Sequence, residues 1–287
     1  MRKIIVKIWL LALVAVLLNS TLGYAQNAND SIAVMTFNIR YAGFGDDENA
    51  WPNRKHLLVQ TILDHPSDFI GLQEVLPVQV DFLKENLPGY GWYSRARTPD
   101  PNVGEATSLL YDMSKWEMIS GNHFWLSDTP EVPGSNTWGA AFSRMVTYGI
   151  FKSKTEGITL LVLNTHFDHV SQPAREKSVA LIKEVIRQNT DVDGAVLLGD
   201  FNVTDDNPVY RHFLEGDLLK DAYTSKVEIS GKKAGTYHGW NDMDNRRIDF
   251  IFITKNFEVW DARVLNEKYY GRFPSDHFPV RSVLRMD

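Results

Sequence analysis

The 287-residue chain contains no cysteine. That absence excludes thiol catalysis, thiolate metal sites and disulfides, together with the lipid-attachment cysteine of a bacterial lipoprotein. Positive charge is also in short supply, with 30 Lys and Arg against 36 Asp and Glu and a net charge of −6. No Pro/Ser/Gly-rich tract, low-complexity run or fixed-period repeat occurs, so nothing in the sequence marks an interdomain linker or a solenoid. No EF-hand or other calcium-binding repeat occurs either. A membrane-length apolar run is missing. The longest, Ile8–Leu18 (IWLLALVAVLL), has 11 residues, and as a helix it would rise about 16 Å, short of the roughly 20 residues that a bilayer span requires.

What is present points to an exported globular protein. The 44% of hydrophobic and 12% of aromatic residues can bury a full core, which excludes a disordered chain. Arg2, Lys3 and Lys7 precede the apolar run and Gly23-Tyr24-Ala25 follows it, a small-x-small cleavage pattern. Residues 1–25 are therefore expected to be a signal peptide and residues 26–287 a single domain. The expected location is periplasmic or extracellular, with no stable membrane insertion once the signal is removed. Without those three cations the mature chain carries 27 basic against 36 acidic residues, a net charge of −9. Holding a long nucleic acid by charge alone needs a strongly basic surface, which this balance disfavours without excluding a local patch. A monomer is the expected state.

Short β-branched or aromatic runs mark strands at Ile32–Phe37, Asp68–Leu72, Ser108–Tyr111, Met145–Phe151, Ile158–Leu163, Ala195–Leu198, Ile248–Ile253, Phe257–Val264 and Val280–Leu284. Helical periodicity appears at Arg54–Leu63, at Pro77–Leu87 and most clearly at Pro173–Gln188, where Val179, Ile182, Val185 and Ile186 share a face. Such a pattern fits an α+β sandwich of two packed sheets with helices outside. The strands share one feature: their ends run into polar residues. IAVMTF leads into Asn38, FIGL into Gln73-Glu74, ITLLVL into Asn164-Thr165-His166, and AVLL into Gly199-Asp200-Phe201-Asn202. Asp249 opens the IDFIFI strand, and Ser275-Asp276-His277 precedes the last strand. Loops held by a rigid sheet are where catalytic groups usually sit.

These residues fall in six blocks, TFNIR (36–40), GLQEV (71–75), LNTHFDH (163–169), LLGDFN (197–202), RRIDFIF (246–252) and SDHFPV (275–280). Each is weak alone. In this order, over nearly the whole mature chain, they resemble the DNase I-like endonuclease/exonuclease/phosphatase superfamily. The resemblance implies a four-layer α/β/β/α sandwich of two stacked mixed sheets flanked by helices, with the site at one sheet edge. It also implies a Mg²⁺-dependent phosphoesterase, with Mn²⁺ as an alternative ion.

The resemblance implies roles residue by residue. Glu74 matches the principal metal ligand, an oxygen donor of the kind a hard cation selects; taken alone it reads equally as a helix-capping Glu. Asn38 matches the residue that supports the metal or its water, though by itself it is an ordinary turn residue. Asp276 matches a metal-site or His-orienting carboxylate. Asp200 would orient or deprotonate the attacking water, and Asn202 would hold that water or a phosphate oxygen. The same pair reads plainly as an Asx turn. Asp249 would fix and charge His277, a histidine able to bond the attacked phosphate and share proton transfer. His166 would stabilise charge on non-bridging oxygens, with Asn164 a weaker candidate beside it. Glu105, His169, Arg175 and His238 form a lower tier of pocket candidates for substrate, with packing or surface exposure as the plain alternatives. Trp51, Trp138 and Trp240 suggest exposed loop rings for stacking, or small satellite cores.

The expected partner is a phosphate-ester substrate, a small phosphodiester, nucleotide or short single strand. The alternatives are a phosphomonoester, a sphingomyelin-like lipid, and a binding module of the same fold that has lost catalysis. Val203-Thr204 after the GDFN block disfavours inositol phosphates. A degenerate binder should have lost Glu74 or Asp276-His277, and this chain keeps them.

Overall fold

The computed structural model describes residues 31–43, 45–226, 234–241 and 246–286; the expected signal peptide lies outside them. Among the described residues twelve strands follow in chain order: β1 (Ile32–Asn38), β2 (Phe69–Val75), β3 (Tyr90–Ala96), β4 (Ala106–Asp112), β5 (Trp116–Trp125), β6 (Met145–Ser153), β7 (Thr159–His166), β8 (Gly194–Asp200), β9 (Leu219–Asp221), β10 (Asp249–Thr254), β11 (Phe257–Val264) and β12 (Val280–Met286). They form two six-stranded sheets, ordered β11-β12-β1-β2-β4-β3 and β5-β6-β7-β8-β10-β9. Both are mixed, because β1 runs parallel to β2 and β7 parallel to β8, while β2–β4 and β8–β10 are antiparallel.

Alternation along the strands assigns one face of each sheet to a helical layer. In the first sheet Met35, Phe37, Ile70 and Leu72 face out and pack with Leu58 and Ile62 of α1 (Trp51–Asp64) and Leu83 of α2 (Pro77–Asn86). In the second, Leu161, Leu163, Leu197, Phe250 and Phe252 pack with Val179, Ile182 and Ile186 of α3 (Gln172–Gln188) and Phe213 of α4 (Pro208–Leu214). Ser171 caps α3 by accepting from the Ala174 N–H at 3.2 Å, and Pro173 sits in its first turn. A short α5 (Ala222–Lys226) follows β9. The four-layer sandwich expected from the sequence is the observed fold. Among the described residues no helix is long and apolar enough to cross a membrane.

Three strands escape the sequence pattern, β3, β5 and β9, and all three lie at sheet edges. An edge strand is covered on fewer sides and so needs no continuous apolar row. Five consecutive residues of β5, Ile119–His123, are exposed or half-buried.

The faces turned toward each other bury the other half of each strand. At one end the seam is aromatic, with Phe69 against Trp116 and Phe151 at centroid distances of 4.7 and 5.0 Å. At the other end it becomes polar. The fully buried Asn164 donates to the Leu72 and Ser108 carbonyls, each at 2.9 Å, and accepts from Gln73 Nε2 at 2.7 Å. Gly71 makes room for this crossing, since a Cβ there would lie 2.7 Å from Asn164 Oδ1. Asn164, expected as a weak substrate-site candidate, is thus an inter-sheet clamp, because its three hydrogen bonds all lie within the sandwich.

This arrangement makes a stability prediction. Asn164→Ala removes the side-chain donors to two carbonyls and one of the three acceptors of the Gln73 amide, and should cost about 2–4 kcal/mol in denaturant unfolding. A cost below about 0.5 kcal/mol, the scale of a surface change, would contradict the clamp.

Candidate active site

The inward rows of five strands end at the same edge of the sandwich. Thr36 and Asn38 continue one row on β1. On the second sheet the register pairs His166 with Asp200 and Asp200 with Asp249, so one row crosses β7, β8 and β10. Glu74 would break the alternation of β2, whose outward residues are Ile70 and Leu72. A register shift between Leu72 and Val75 inserts one extra residue. Val75 therefore resumes the outward row, and Glu74, at φ 63°, turns toward the open edge. Bulges next to active sites commonly re-aim a side chain in this way. Arg40 and Asn202, just past β1 and β8, also have positive φ, at 53° and 50°. Non-glycine residues held there are uncommon and cluster at functional sites.

The side chains converge on a cleft of about 360 Å³, lined by Glu74, Glu105, His166, His169, Asp200, Asn202, Asp276 and His277 among the expected residues. Asn38 ties the two sheets together beneath it. Its amide donates to Glu74 Oε1 at 3.1 Å and to Asp200 Oδ2 at 2.9 Å, while its carbonyl accepts from the Arg40 N–H at 3.0 Å. Glu74 Oε2 accepts from the Tyr41 N–H at 3.1 Å. Asp200 Oδ1 accepts from the Asn202 N–H at 3.0 Å, and Asn202 Nδ2 donates to the Phe167 carbonyl, also at 3.0 Å. The plain Asx-turn geometry and a cleft position thus coexist in this pair.

Asp249 and His277, 28 residues apart, form a buried pair with Nδ1 and Oδ2 separated by 2.9 Å. The other ring nitrogen, Nε2, faces Asp200 Oδ2 at 3.9 Å, and His166 Nε2 faces the same oxygen at 3.4 Å. Burial pulls the His277 pKa down, but the charge and hydrogen bond of Asp249, aided by Asp200, outweigh it and raise it to about 10. Burial and the Asp249 charge raise Asp200 to about 7, against the opposing pull of His277 and Asn38. Burial and the nearby Arg144 hold His166 well below its ordinary value, so it stays neutral. One histidine is a cation and the other a neutral donor, a difference set by environment alone.

The donor set suits a divalent hard cation. Each Glu74 oxygen carries one hydrogen bond, which leaves lone pairs toward the cleft. Asp276 is buried and its pKa raised, first by burial and then by Glu74 against the pull of His277. A divalent ion would relieve that crowding of carboxylates. Asp200, Asp249 and His277 also bring potential ligand atoms within 4.8 Å of one another. There, however, Asp249 already holds the imidazolium, and the oxygen-only side at Glu74 and Asp276, braced by Asn38, fits the ion better.

Other candidates sit elsewhere. Arg175 is buried, donating to the Asp168 carbonyl at 2.7 Å and to Gln172 Oε1 at 2.9 Å, so it fastens the start of α3 outside the cleft lining. His238 lies between Phe273 and Phe278, with both ring centroids 4.2 Å away, and packs behind the cleft. Trp51 opens α1, buried edge-on against Phe82. Trp138 donates to Asp128 Oδ1 at 2.6 Å beneath Lys177, and Trp240 packs by Arg54. None of the three lines the cleft. Conversely, Arg97, Phe142 and Arg144 line it without having been singled out. Arg97 follows the edge strand β3 and Arg144 precedes β6, where no polar motif stands out. Only Arg40, in TFNIR, and Arg246, in RRIDFIF, carried a signal.

Two packed mixed sheets, helices outside, and carboxylates, amides and histidines gathered at one edge define a metal-dependent phosphoesterase of DNase I-like architecture. The chain belongs to the Endonuclease/Exonuclease/phosphatase family, whose sequence pattern matches residues 35–277. An endonuclease/exonuclease/phosphatase family protein from Bacteroides thetaiotaomicron superposes with a TM-score of 0.84 at 32% identity, over 90% of this chain and 98% of the other. A mannosyl-6-phosphatase from the same organism gives 0.82 at 32% identity, over 88% and 99%. An uncharacterized protein, L388, of Acanthamoeba polyphaga mimivirus is 26% identical over 80% of this chain and 90% of its own length. The protein is accordingly a phosphoester hydrolase.

The charge states set a pH dependence. With Asp200 active as a carboxylate and His277 as an imidazolium, kcat/KM should plateau between an acidic limb at or below pH 7, lower once a metal is bound, and an alkaline limb near pH 10. Asp249→Asn should move the alkaline limb down by at least about one unit, and the double variant with His277→Ala should be little worse than His277→Ala alone. Multiplicative losses would mean that the two residues act independently. The raised His277 pKa also stabilises the fold below its unfolded value near 6.5, a contribution lost as pH climbs through about 10.

Proposed function

We propose that this protein hydrolyses the phosphate monoester of a small polar molecule, such as a sugar phosphate, with Mg²⁺ as the natural ion and Mn²⁺ able to replace it. Its proposed setting is the periplasm or the extracellular space, and its proposed state a monomer. The observation that carries this reading is the charge of the cleft. Arg40, Arg97, Arg144 and Arg246 line a space sized for a small ligand in an otherwise acidic protein, and they offset the four carboxylates of the same lining, Glu74, Glu105, Asp200 and Asp276, so that a bound divalent ion would leave the cleft positive. A monoester is largely dianionic at neutral pH, its second pKa being about 6, whereas a diester carries a single charge. Similarity to a mannosyl-6-phosphatase over almost the full length supports the same choice. A small diester, favoured by the sequence blocks, is the second reading.

In the proposed reaction a water attacks phosphorus in line with the ester oxygen, and the P–O bond to that oxygen breaks. Asp200, with Asn38 and Asn202 fixing its two oxygens, takes the proton of the water. His277, charged by Asp249, and neutral His166 donate to non-bridging oxygens as charge grows there. The departing oxygen takes a proton from cleft water, and Asp200 returns the proton it took to the hydroxide so formed. Glu74 and Asp276 would hold the ion, which supplies Lewis-acid neutralisation of phosphoryl charge when bound.

The test is a screen of the mature protein with Mg²⁺ on mannose 6-phosphate, nitrophenyl phosphate, bis-nitrophenyl phosphate, an oligonucleotide and sphingomyelin. Monoesters should exceed diesters by at least about tenfold in kcat/KM, chelation should abolish turnover, and Glu74→Gln should lower it by at least about 10²-fold while the protein remains folded. Preference for a diester would return the second reading. Undiminished turnover of Glu74→Gln at low Mg²⁺ would remove Glu74 from the metal site.

A further inference from the structure

Arg54 is the bulkiest fully buried side chain among the described residues, at 1% exposure near the start of α1. A cation there opposes the helix dipole and gives up its hydration, so its place calls for an explanation. Its five N–H donors match five backbone carbonyls. Nε donates to Asn49 at 2.9 Å, Nη1 to Ile39 and Pro274 at 2.6 and 3.2 Å, and Nη2 to Arg40 and Tyr41 at 2.6 and 3.5 Å. The guanidinium carbon also lies 5.2 and 5.6 Å from the ring centroids of Trp51 and Trp240. Burial lowers its pKa to about 10 against the pull of Asp276 and Asp46, so it is a cation at neutral pH. Four of the five carbonyls belong to two segments that meet at the metal side of the cleft. Residues 39–41 leave β1, where the Arg40 N–H donates to Asn38 Oδ1 at 3.0 Å and the Tyr41 N–H to Glu74 Oε2 at 3.1 Å. Pro274 leads into Ser275, whose Oγ donates to the Asn38 carbonyl at 2.7 Å, and then into Asp276. Arg40 also stands in the left-handed region, at φ 53°, a conformation that persists only when its surroundings hold it.

We infer that Arg54 is the positioning residue of the metal side: one buried guanidinium joins the segment that clamps Glu74 to the segment that carries Asp276, and so sets the spacing of the two carboxylates before an ion arrives. This role rests on the reading of Glu74 and Asp276 as the holders of the ion, and deepens it. Arg54 acts on both through backbone. Glu74 is oriented by the Tyr41 N–H, and Asp276 follows Pro274 by two residues. A planar guanidinium presents its donors in fixed directions, and they are enough for every one of these carbonyls. A lysine ammonium would keep the charge but has three donors for five carbonyls. Charge and position make opposite predictions for the ion. A cation behind the site repels a divalent ion, so deleting it would tighten binding if charge alone mattered. Weaker binding after the deletion therefore reports lost position.

Mn²⁺ binding to metal-free protein, read from the loss of the free ion's paramagnetic resonance, tests the role in wild type, Arg54→Lys and Arg54→Met. Both variants should bind at least about tenfold more weakly than wild type, the scale for losing a group that orients metal ligands, although Arg54→Met removes a repelling cation. Unchanged affinity in either variant, or tighter binding by Arg54→Met, would overturn the inference. Amide hydrogen exchange of wild type, followed by nuclear magnetic resonance, needs no variant to fold. The Arg40 and Tyr41 amides should exchange as slowly without Mg²⁺ as with it, because Arg54 already holds their segment. Protection that arises only on adding Mg²⁺ would mean that the ion orders the segment, and would also overturn the inference. A wild type that bound neither ion would bring down the metal reading and this role with it, whereas the other adverse outcomes leave that reading standing.

Discussion

The buried ion pair between Asp249 and His277 is the interaction on which the rest of the site depends. Neither residue has solvent to stabilise a charge, and the Asp249 carboxylate keeps His277 charged. The pair imposes its consequences on Asp200. The Asp249 carboxylate pushes Asp200 upward and the imidazolium pulls it down, leaving a carboxyl group poised near neutrality, where a general base is most useful. His166, close to the same oxygen but without a carboxylate partner of its own, remains neutral. Such a concentration of buried charge costs folding free energy, and the fold offsets that cost away from the cleft.

Two features of the scaffold supply the offset. The outward faces of both sheets bury extensive aliphatic and aromatic cores against the helices. Between the sheets, Asn164 and Gln73 lock the polar end of the seam just below the site. Asn38 then spans from Glu74 on one sheet to Asp200 on the other. Metal side and water side are thereby held at a separation set by the packing of two sheets, not by flexible loops. Preorganisation of this kind allows donors and acceptors to meet developing charge without rearranging.

Much of this could be read in the sequence. Nine of the twelve strands announce themselves as apolar runs, and α3 by its period. The residues at Asn38, Glu74, His166, Asp200, Asn202, Asp249, Asp276 and His277 stand at or beside strand ends, where a backbone alternation of two and an ordered set of motifs locate them. The rest was hidden for physical reasons. β3, β5 and β9 are edge strands with broken apolar rows. Asn164 looked like its neighbour His166, yet the bonds that hold it inside the sandwich belong to β2 and β4, more than fifty residues away in sequence. Arg175 and His238 lie outside the cleft lining, the first hydrogen-bonded at the start of α3 and the second between two phenylalanine rings. Arg97 and Arg144 enter the cleft through tertiary placement alone, and an arginine in a loop carries no local mark of what it will face.

The division of roles around Asp200 depends most directly on the charge of His277. Nuclear magnetic resonance of imidazole-labelled protein, titrated from pH 5 to 10.5, reads the protonation of that ring by its nitrogen shifts. His277 should remain an imidazolium through pH 8 and titrate near 10, while His166 should stay neutral where an ordinary histidine takes up its proton, near 6.5. A His277 that loses its proton at or below the ordinary value of about 6.5 would contradict this expectation, since Asp249 would then be holding a neutral ring and the division of roles around Asp200 would have no basis.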